Sequence, residues 1–332
     1  MTAKPPTGIP AAENVRAAAQ LPRLAGQALK LAVRYRTLTV FLGMVILGGV
    51  LSPQLLAIGN VTNVLRQASF NGLLSTGMTF VILTKGIDLS GGSILGVASM
   101  VAGLLKDQNI LIIFGAALST GALLGVVNGV VIAKLRLEPF VVTLAMLTVA
   151  RGIGLVVSRG YLITGVQENF REVGVGYVLG VPNPVIIMAV VFALAWFVLR
   201  YTQFGRRVYA TGANEEAARL AGINVDRHKI AVYGISGVLA ALAGLVLVAR
   251  LQVADPLSGS GFELDAIAAT VIGGTTFDGG KGGIGGTIIG VLILAILNNI
   301  LNLLNISPYA QQIVKGAVLA GAVVMNEYKR RR

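Results

Sequence analysis

ILIIFGAALSTGALLGVVNGVVIA, residues 110–133, carries no charged side chain. It is longer than the roughly 20 residues a helix needs to cross a hydrocarbon core of about 30 Å. Lys106 and Asp107 precede the run, and Lys134 and Arg136 follow it. Lipid offers no partner to backbone N–H and C=O groups, so a run this apolar closes its own hydrogen bonds as a helix. Working outward, comparable runs cover 38–57, 61–84, 90–105, 140–157, 185–199, 230–249, 284–303 and 309–324. A tenth, over 264–277, is short enough to be a half-helix.

Composition agrees. Of the 332 residues 55% are hydrophobic and 12% charged, with mean hydropathy +0.79, against about 25% charged in an ordinary soluble domain. The expected fold class is an all-α polytopic membrane protein of about ten transmembrane helices. The absence of cysteine excludes disulfide frameworks and thiolate metal sites. Glycine, at 43 residues, is abundant and shows no collagen-like period; in a membrane it marks helices that pack closely.

With an even number of spans both termini share a side, and the bias of Lys and Arg toward cytoplasmic loops tests which side it is. With both termini in the cytoplasm, Arg66, Lys106, Arg159, Arg171 and Arg250 fall outside and Arg151 and Lys315 within spans. The other 20 of the 27 basic residues are then inside, which a nine-helix arrangement would scramble. Because the charges sit at span ends rather than along one helical face, the net +13 reflects topology and not nucleic-acid binding. Residues 1–36 are polar, alanine-rich and basic, and lack an apolar core with a small-residue cleavage site. They are expected to form a retained cytoplasmic leader, and residues 37–332 the membrane domain.

Shifting the sequence by about 170 residues places Leu89-Ser90-Gly91-Gly92-Ser93 on Leu257-Ser258-Gly259-Ser260-Gly261, Asn128 on Asn299 and Pro139 on Pro308. In the expected topology the units of about 61–157 and 230–326 run in opposite directions, which makes an inverted repeat. Gly-interrupted segments at matching positions of such repeats place a route at the repeat interface, although ordinary loops at span ends also fit. Gly121, Gly125 and Gly129, and Gly282, Gly286 and Gly290, recur every four residues. Each set is expected to form a stripe that lets two backbones approach.

The most charged stretch is 200–229, read as a cytoplasmic loop. Within it Asn214 suits an N-cap, Glu215 and Glu216 suit the positive end of a helix dipole, and Gly222 suits a left-handed stop. A short helix is expected, with Ala217, Leu220 and Ala221 on one face and Glu216 and Arg219 able to reach polar partners. It fits either a groove of another protein or the membrane surface.

Glu216-Ala217-Ala218 followed by Gly222 resembles the EAA-x-x-x-G signature of binding-protein-dependent permeases, without the Leu-Pro that often follows. Four ordered motifs narrow the resemblance to the ribose-type sugar permease family. They are Gly86-Ile87-Asp88-Leu89-Ser90; Asn128-Gly129 with Pro139-Phe140-Val141-Val142-Thr143-Leu144; Ala210 to Arg219; and Asp265-Ala266-Ile267-Ala268-Ala269 through Gly273-Gly274-Thr275 to Gly279-Gly280-Lys281-Gly282. The resemblance implies a permease of an ATP-binding-cassette (ABC) importer in a bacterial inner membrane. It pairs with a second permease copy, docks ABC ATPase subunits through Asn214, Glu215, Glu216, Ala217, Ala218, Arg219 and Gly222, and receives a monosaccharide from a periplasmic sugar-binding protein. The external segment 158–184 is a candidate contact for that protein. Sugar recognition needs neutral hydrogen-bonding groups, and Asn71, Ser90, Ser93, Asn128, Asn298 and Asn299, with Asp88, are candidates for the pathway; helix-to-helix hydrogen bonding is the alternative.

Catalysis is not expected, nor any cofactor or metal. Gly280-Lys281 is the only Gly-Lys pair, and Thr275 and Gly282 occupy the glycine and hydroxyl positions of a phosphate-binding loop. The Gly280, Gly282, Gly285 pattern follows no soluble strand. His228 is the only histidine and has no evident partner. Permeases for branched-chain amino acids or nucleosides are the nearer alternative, and an ion-coupled secondary transporter is the more distant one. The latter requires ionisable groups deep in the membrane, where Arg151 and Lys315 show no acidic partner in the sequence.

Overall fold

The computed structural model describes residues 36–330, so the expected leader, apart from Arg36, lies outside the described residues. Each of the ten apolar runs coincides with a helix. In chain order these are α1 (Arg36–Leu51), α2 (Ile58–Leu83), α3 (Gly91–Leu104), α4 (Ile110–Leu135) and α5 (Pro139–Ser158). The segment 158–184, expected as an external candidate contact, holds a strand β1 (Ile163–Thr164), a helix α6 (Glu168–Val175) and a hairpin of β2 (Tyr177–Val178) and β3 (Val181–Pro182). Next come α7 (Asn183–Tyr201), α8 (Gln203–Ala213), α9 (Glu215–Leu220) and α10 (Val225–Leu251). Strand β4 (Val253–Ala254), α11 (Phe262–Ile272), α12 (Ile284–Leu303) and α13 (Pro308–Arg330) complete the described chain.

Among the described residues five helices, α4, α5, α7, α10 and α12, are long and apolar enough to cross a membrane unaided. By the 1.5 Å rise per residue, the 14-residue α3 is about 21 Å long and the 11-residue α11 about 17 Å, short of the roughly 30 Å core. The order long, short, long, long recurs in α2 to α5 and in α10 to α13.

The centre of the bundle is α10. Its most apolar window is 67% buried by protein, against 22% for α4 and α5. Residues 230–249 are apolar all round, with small residues at Gly234, Ser236, Gly237, Ala240, Ala241 and Gly244, so neighbours can close on every side. On α4, Gly121 abuts the Gly237 carbonyl, Gly125 the Tyr233 carbonyl and Gly129 the backbone of Ile230, which runs the expected stripe antiparallel to α10. The second stripe differs from expectation. Gly286 and Gly290 abut the carbonyls of Gly273 and Ala269 on the α11 side, but Gly282 lies in the preceding loop with φ +126°, because α12 begins only at Ile284.

The 163–182 segment is folded onto this bundle. β1 pairs antiparallel with β4, Ile163 opposite Ala254, and Phe170, 1% exposed, meets Phe114 edge-on at 5.9 Å between centroids.

Candidate functional site

The expected short helix is α9, and local chemistry sets both its ends. Asn214 is extended (φ −156°, ψ 107°), and its side-chain oxygen accepts the Ala217 N–H at 3.0 Å. Gly222 turns left-handed at φ +79°, so that its N–H reaches the Arg219 carbonyl and the Ile223 N–H the Ala218 carbonyl, the paired bonds of a Schellman stop. Six residues are too few to hold a helix alone. Ala218 is therefore buried as its anchor, and Lys229 Nζ donates to Glu215 Oε2 at 2.7 Å. Burial raises the Glu215 carboxyl, but the hydrogen bonds from Lys229 and Arg219 outweigh it and hold the group below its ordinary value. Arg219, expected to be able to reach a polar partner, stays exposed and pairs within this chain, with Glu215 at 3.0 Å and Asp226 at 2.7 Å. Glu216, Ala217, Leu220 and Ala221 stay exposed, Leu220 at 85%. A cavity of about 540 Å³ beside them is lined by Lys85, Arg136, Glu138, Glu215 and Glu216 among others. The preceding helix α8 lacked an evident signal in a stretch rich in Arg and Gly; Thr202 caps it by accepting the Gly205 N–H. His228 bonds the Asn224 carbonyl through Nδ1 at 2.8 Å and stacks on Phe204, which is a packing role.

Three of the pathway candidates come together. The end of α2 is a Schellman turn with Lys85 at φ +61°, and Gly86 passes against the Tyr233 hydroxyl, where a Cβ has no room. This delivers Asp88, fully buried, between α4 and α10. Its Oδ1 accepts the Ser90 N–H at 3.0 Å and the Ser90 hydroxyl, and its Oδ2 accepts the Ser236 hydroxyl at 2.7 Å. Asn128 Nδ2 donates to Ser90 Oγ at 2.9 Å. Ser236 escaped the sequence reading; a hydroxyl in an otherwise apolar span was its only signal. Asp88→Ala leaves the Ser90 and Ser236 hydroxyls without an acceptor in a sealed interior. The expected cost is about 2–4 kcal/mol, read as a lower melting temperature of the purified permease.

The two short helices meet at their N-termini. Gly92 of α3 abuts the Gly259 carbonyl and the Glu263 carboxylate, and Phe70 stacks on Phe262 with centroids 5.3 Å apart. Among the described residues Ser93 Oγ and Glu263 Oε2 are buried there without a hydrogen-bond partner. Arg151 on α5 donates to the Pro256 and Ser258 carbonyls at 2.8 and 3.0 Å. Lys315 on α13 donates to Asp265 Oδ2 at 2.8 Å. The expectation that Lys315 lacks an acidic partner is thus corrected, since Asp265, 50 residues away, forms an ion pair with it, whereas Arg151 bonds backbone carbonyls.

The other candidates lie apart. Asn299 exchanges two amide hydrogen bonds with Asn60, at 2.8 and 2.9 Å, tying α12 to α2. Asn71 Oδ1 and Asn298 Oδ1 are buried without a partner among the described residues.

A family profile described as branched-chain amino acid transport system / permease component matches residues 60–323. The chain is 48% identical over 300 residues to the ribose import permease protein RbsC of Escherichia coli strain K12, covering 89% of this chain and 94% of the relative. It is 49% identical over 298 residues to the RbsC of Bacillus subtilis strain 168 (87% and 92%). Against the D-allose transport system permease protein AlsC of E. coli K12 it is 40% identical over 298 residues (88% and 91%). No solved structure matches the chain. The capped α9 bearing the Glu216-Ala217-Ala218 signature, the apolar spans and full-length similarity to these permeases agree: the chain belongs to the ribose-type permeases of ABC importers.

Proposed function

We propose that this chain is the non-catalytic, membrane-spanning subunit of an ABC importer that moves a monosaccharide across the bacterial inner membrane, with ATP hydrolysed by a separate chain. The observation that carries the reading is α9: a six-residue helix capped at both ends, anchored by Ala218 and Glu215, and presenting Leu220 outward. Relatives named for ribose, D-allose and L-arabinose transport support a sugar over an amino acid or nucleoside as cargo.

In this reading residues 37–332 form one membrane domain of ten crossings with both termini cytoplasmic, the units 61–157 and 230–326 form an inverted repeat, and 200–229 is the coupling loop. The recurrence of helix lengths and the charge distribution support it. Two copies pair, since α13 packs chiefly on α11 and its apolar face otherwise lacks cover among the described residues. The Asp88, Ser90, Asn128 cluster sets the α2–α3 turn beside the route. The unpartnered oxygens of Ser93, Asn71 and Asn298 are the groups able to meet a sugar hydroxyl.

Vesicles carrying the permease with its ATPase and binding protein are expected to take up ribose only with ATP. Uptake driven by a pH gradient without ATP, or of a branched-chain amino acid in place of any sugar, overturns the reading. The cysteine-free sequence allows a clean test of orientation. Leu179→Cys, 99% exposed at the 177–182 hairpin, should react with an impermeant maleimide in intact cells, and Leu220→Cys only after permeabilisation.

A further inference from the structure

Beyond α9 lies a second cavity, of about 690 Å³, between α7, α8 and the start of α12. Its lining includes Arg200, Arg206, Tyr209, Trp196 and the backbone of Gly282 to Gly286, and among the described residues that line it there is no Asp or Glu. The cavity beside α9, by contrast, mixes Lys85 and Arg136 with Glu138, Glu215 and Glu216. The Arg200 side chain has no ion pair or hydrogen bond among the described residues, and the Arg206 guanidinium donates one long bond, at 3.4 Å, to the Tyr201 carbonyl. Tyr209 donates its hydroxyl proton to the Gly282 carbonyl at 2.9 Å, which closes one wall. No side chain caps α12, whose first turn therefore leaves backbone N–H groups at the cavity.

The depth of the cavity indicates what fills it. Trp196 and Tyr201 meet edge-on with centroids 5.3 Å apart, and both are exposed on the outside of the bundle, at 50% and 56%. Amphipathic rings of this kind sit at the level of lipid headgroups. Arg200 stands one turn beyond Trp196 on α7 and next to Tyr201, and Arg206 follows on α8, at the level where a phosphate would be. Basic pockets between spans on the cytoplasmic side receive anionic headgroups by this chemistry.

We propose that this cavity is a binding site for the phosphate headgroup of one anionic phospholipid of the cytoplasmic leaflet, held by Arg200, Arg206 and the N-terminus of α12. The site rests on the placement of the Arg200 edge at the cytoplasmic face proposed above. Its occupant would brace α7 against α12 immediately before the loop that carries α9.

Trp196 is the only tryptophan in the chain and lines the cavity, so its fluorescence reports on lipid at this edge of the bundle. The full permease is reconstituted in phosphatidylcholine, and brominated phosphatidylglycerol or brominated phosphatidylcholine is titrated in as quencher. A basic residue near an anionic surface contributes roughly fivefold, so brominated phosphatidylglycerol should quench at about 30-fold lower mole fraction. The double variant Arg200→Gln, Arg206→Gln should erase this preference, while Arg207→Gln, whose side chain does not line the cavity, keeps it. Equal quenching by both lipids in the unaltered protein overturns the site. So does a preference that survives the double variant. Loss of the preference in 10 mM inorganic phosphate overturns the lipid as ligand, leaving a site for a free anion. The readout needs neither ATP nor sugar, so a wrong transport reading shows in the uptake assay and a wrong orientation in the cysteine labelling, and neither is confused with failure here.

Discussion

Replacement of residues 214–222 by a glycine-serine linker of equal length is expected to lower ATP-driven uptake by about a hundredfold or more while the bundle still folds. The helix is built for presentation and not for the core: Ala218 is its one fully buried side chain. The linker removes the Asn214 cap, the Gly222 stop and the Leu220 knob together. It also takes Glu215 from Lys229 and Arg219 from Asp226, which keeps Lys134 at 3.7 Å, but these are part-exposed pairs worth at most about 1 kcal/mol each. The point variant Leu220→Asp separates docking from helix formation. Asp in the last turn opposes the helix dipole by only a few tenths of a kcal/mol, whereas an exposed apolar anchor at an interface contributes about 2–4 kcal/mol, or roughly thirty-fold to a thousandfold in affinity. Pull-down of the ATPase should fall by that factor with the melting temperature unchanged. An unaltered pull-down with Leu220→Asp would show that energy enters through another surface, the cavity lined by Lys85 and Arg136 being next in line.

Gly125→Leu is expected to abolish folding, and Gly125→Ala to cost about 1–3 kcal/mol, the usual penalty of forcing methyl groups into a closed interior. A Cβ at Gly125 falls on the Tyr233 carbonyl and the Gly234 backbone, so neither a rotamer nor a side chain can give way. The strain would also pass to Asp88, since Ser236, one of its partners, stands three residues beyond Tyr233 on the same helix. Gly115, on the same α4, is the control: nothing lies within 4 Å of its Cβ, and Gly115→Ala should be neutral or stabilising by up to about 1 kcal/mol. Melting in detergent separates the two positions. A Gly125→Ala protein as stable as Gly115→Ala would mean that α4 and α10 can part without cost.

What was legible in the residues followed how local the governing physics is. Apolarity is a property of each run by itself, so all ten runs appear as helices, five of them long and apolar enough to cross a membrane unaided among the described residues. The caps of α9 involve only neighbours, Asn214 with Ala217 and Gly222 with Arg219. The start of α12 was less clear: Gly282 carries the four-residue period, yet its φ of +126° belongs to a turn around Thr275, and a glycine pattern does not reveal where a helix begins. Helix α8 was hidden because its Arg-rich face looks like any solvated loop.

Sequence alone determined that this protein lives in a bilayer and that it carries a short capped helix over 215–220, because hydrophobicity and helix termini are settled within a few residues. Only the tertiary structure decided which polar groups meet. Ser236 reaches Asp88 across 148 residues and Asn60 reaches Asn299 across 239. Such pairings depend on where helices cross, and crossings are set by glycines on two chains of side chains at once, so no single segment encodes them. The same crossings turned Asn299 to Asn60, gave Lys315 its Asp265, and left the Ser93 and Glu263 oxygens buried without a hydrogen-bond partner among the described residues.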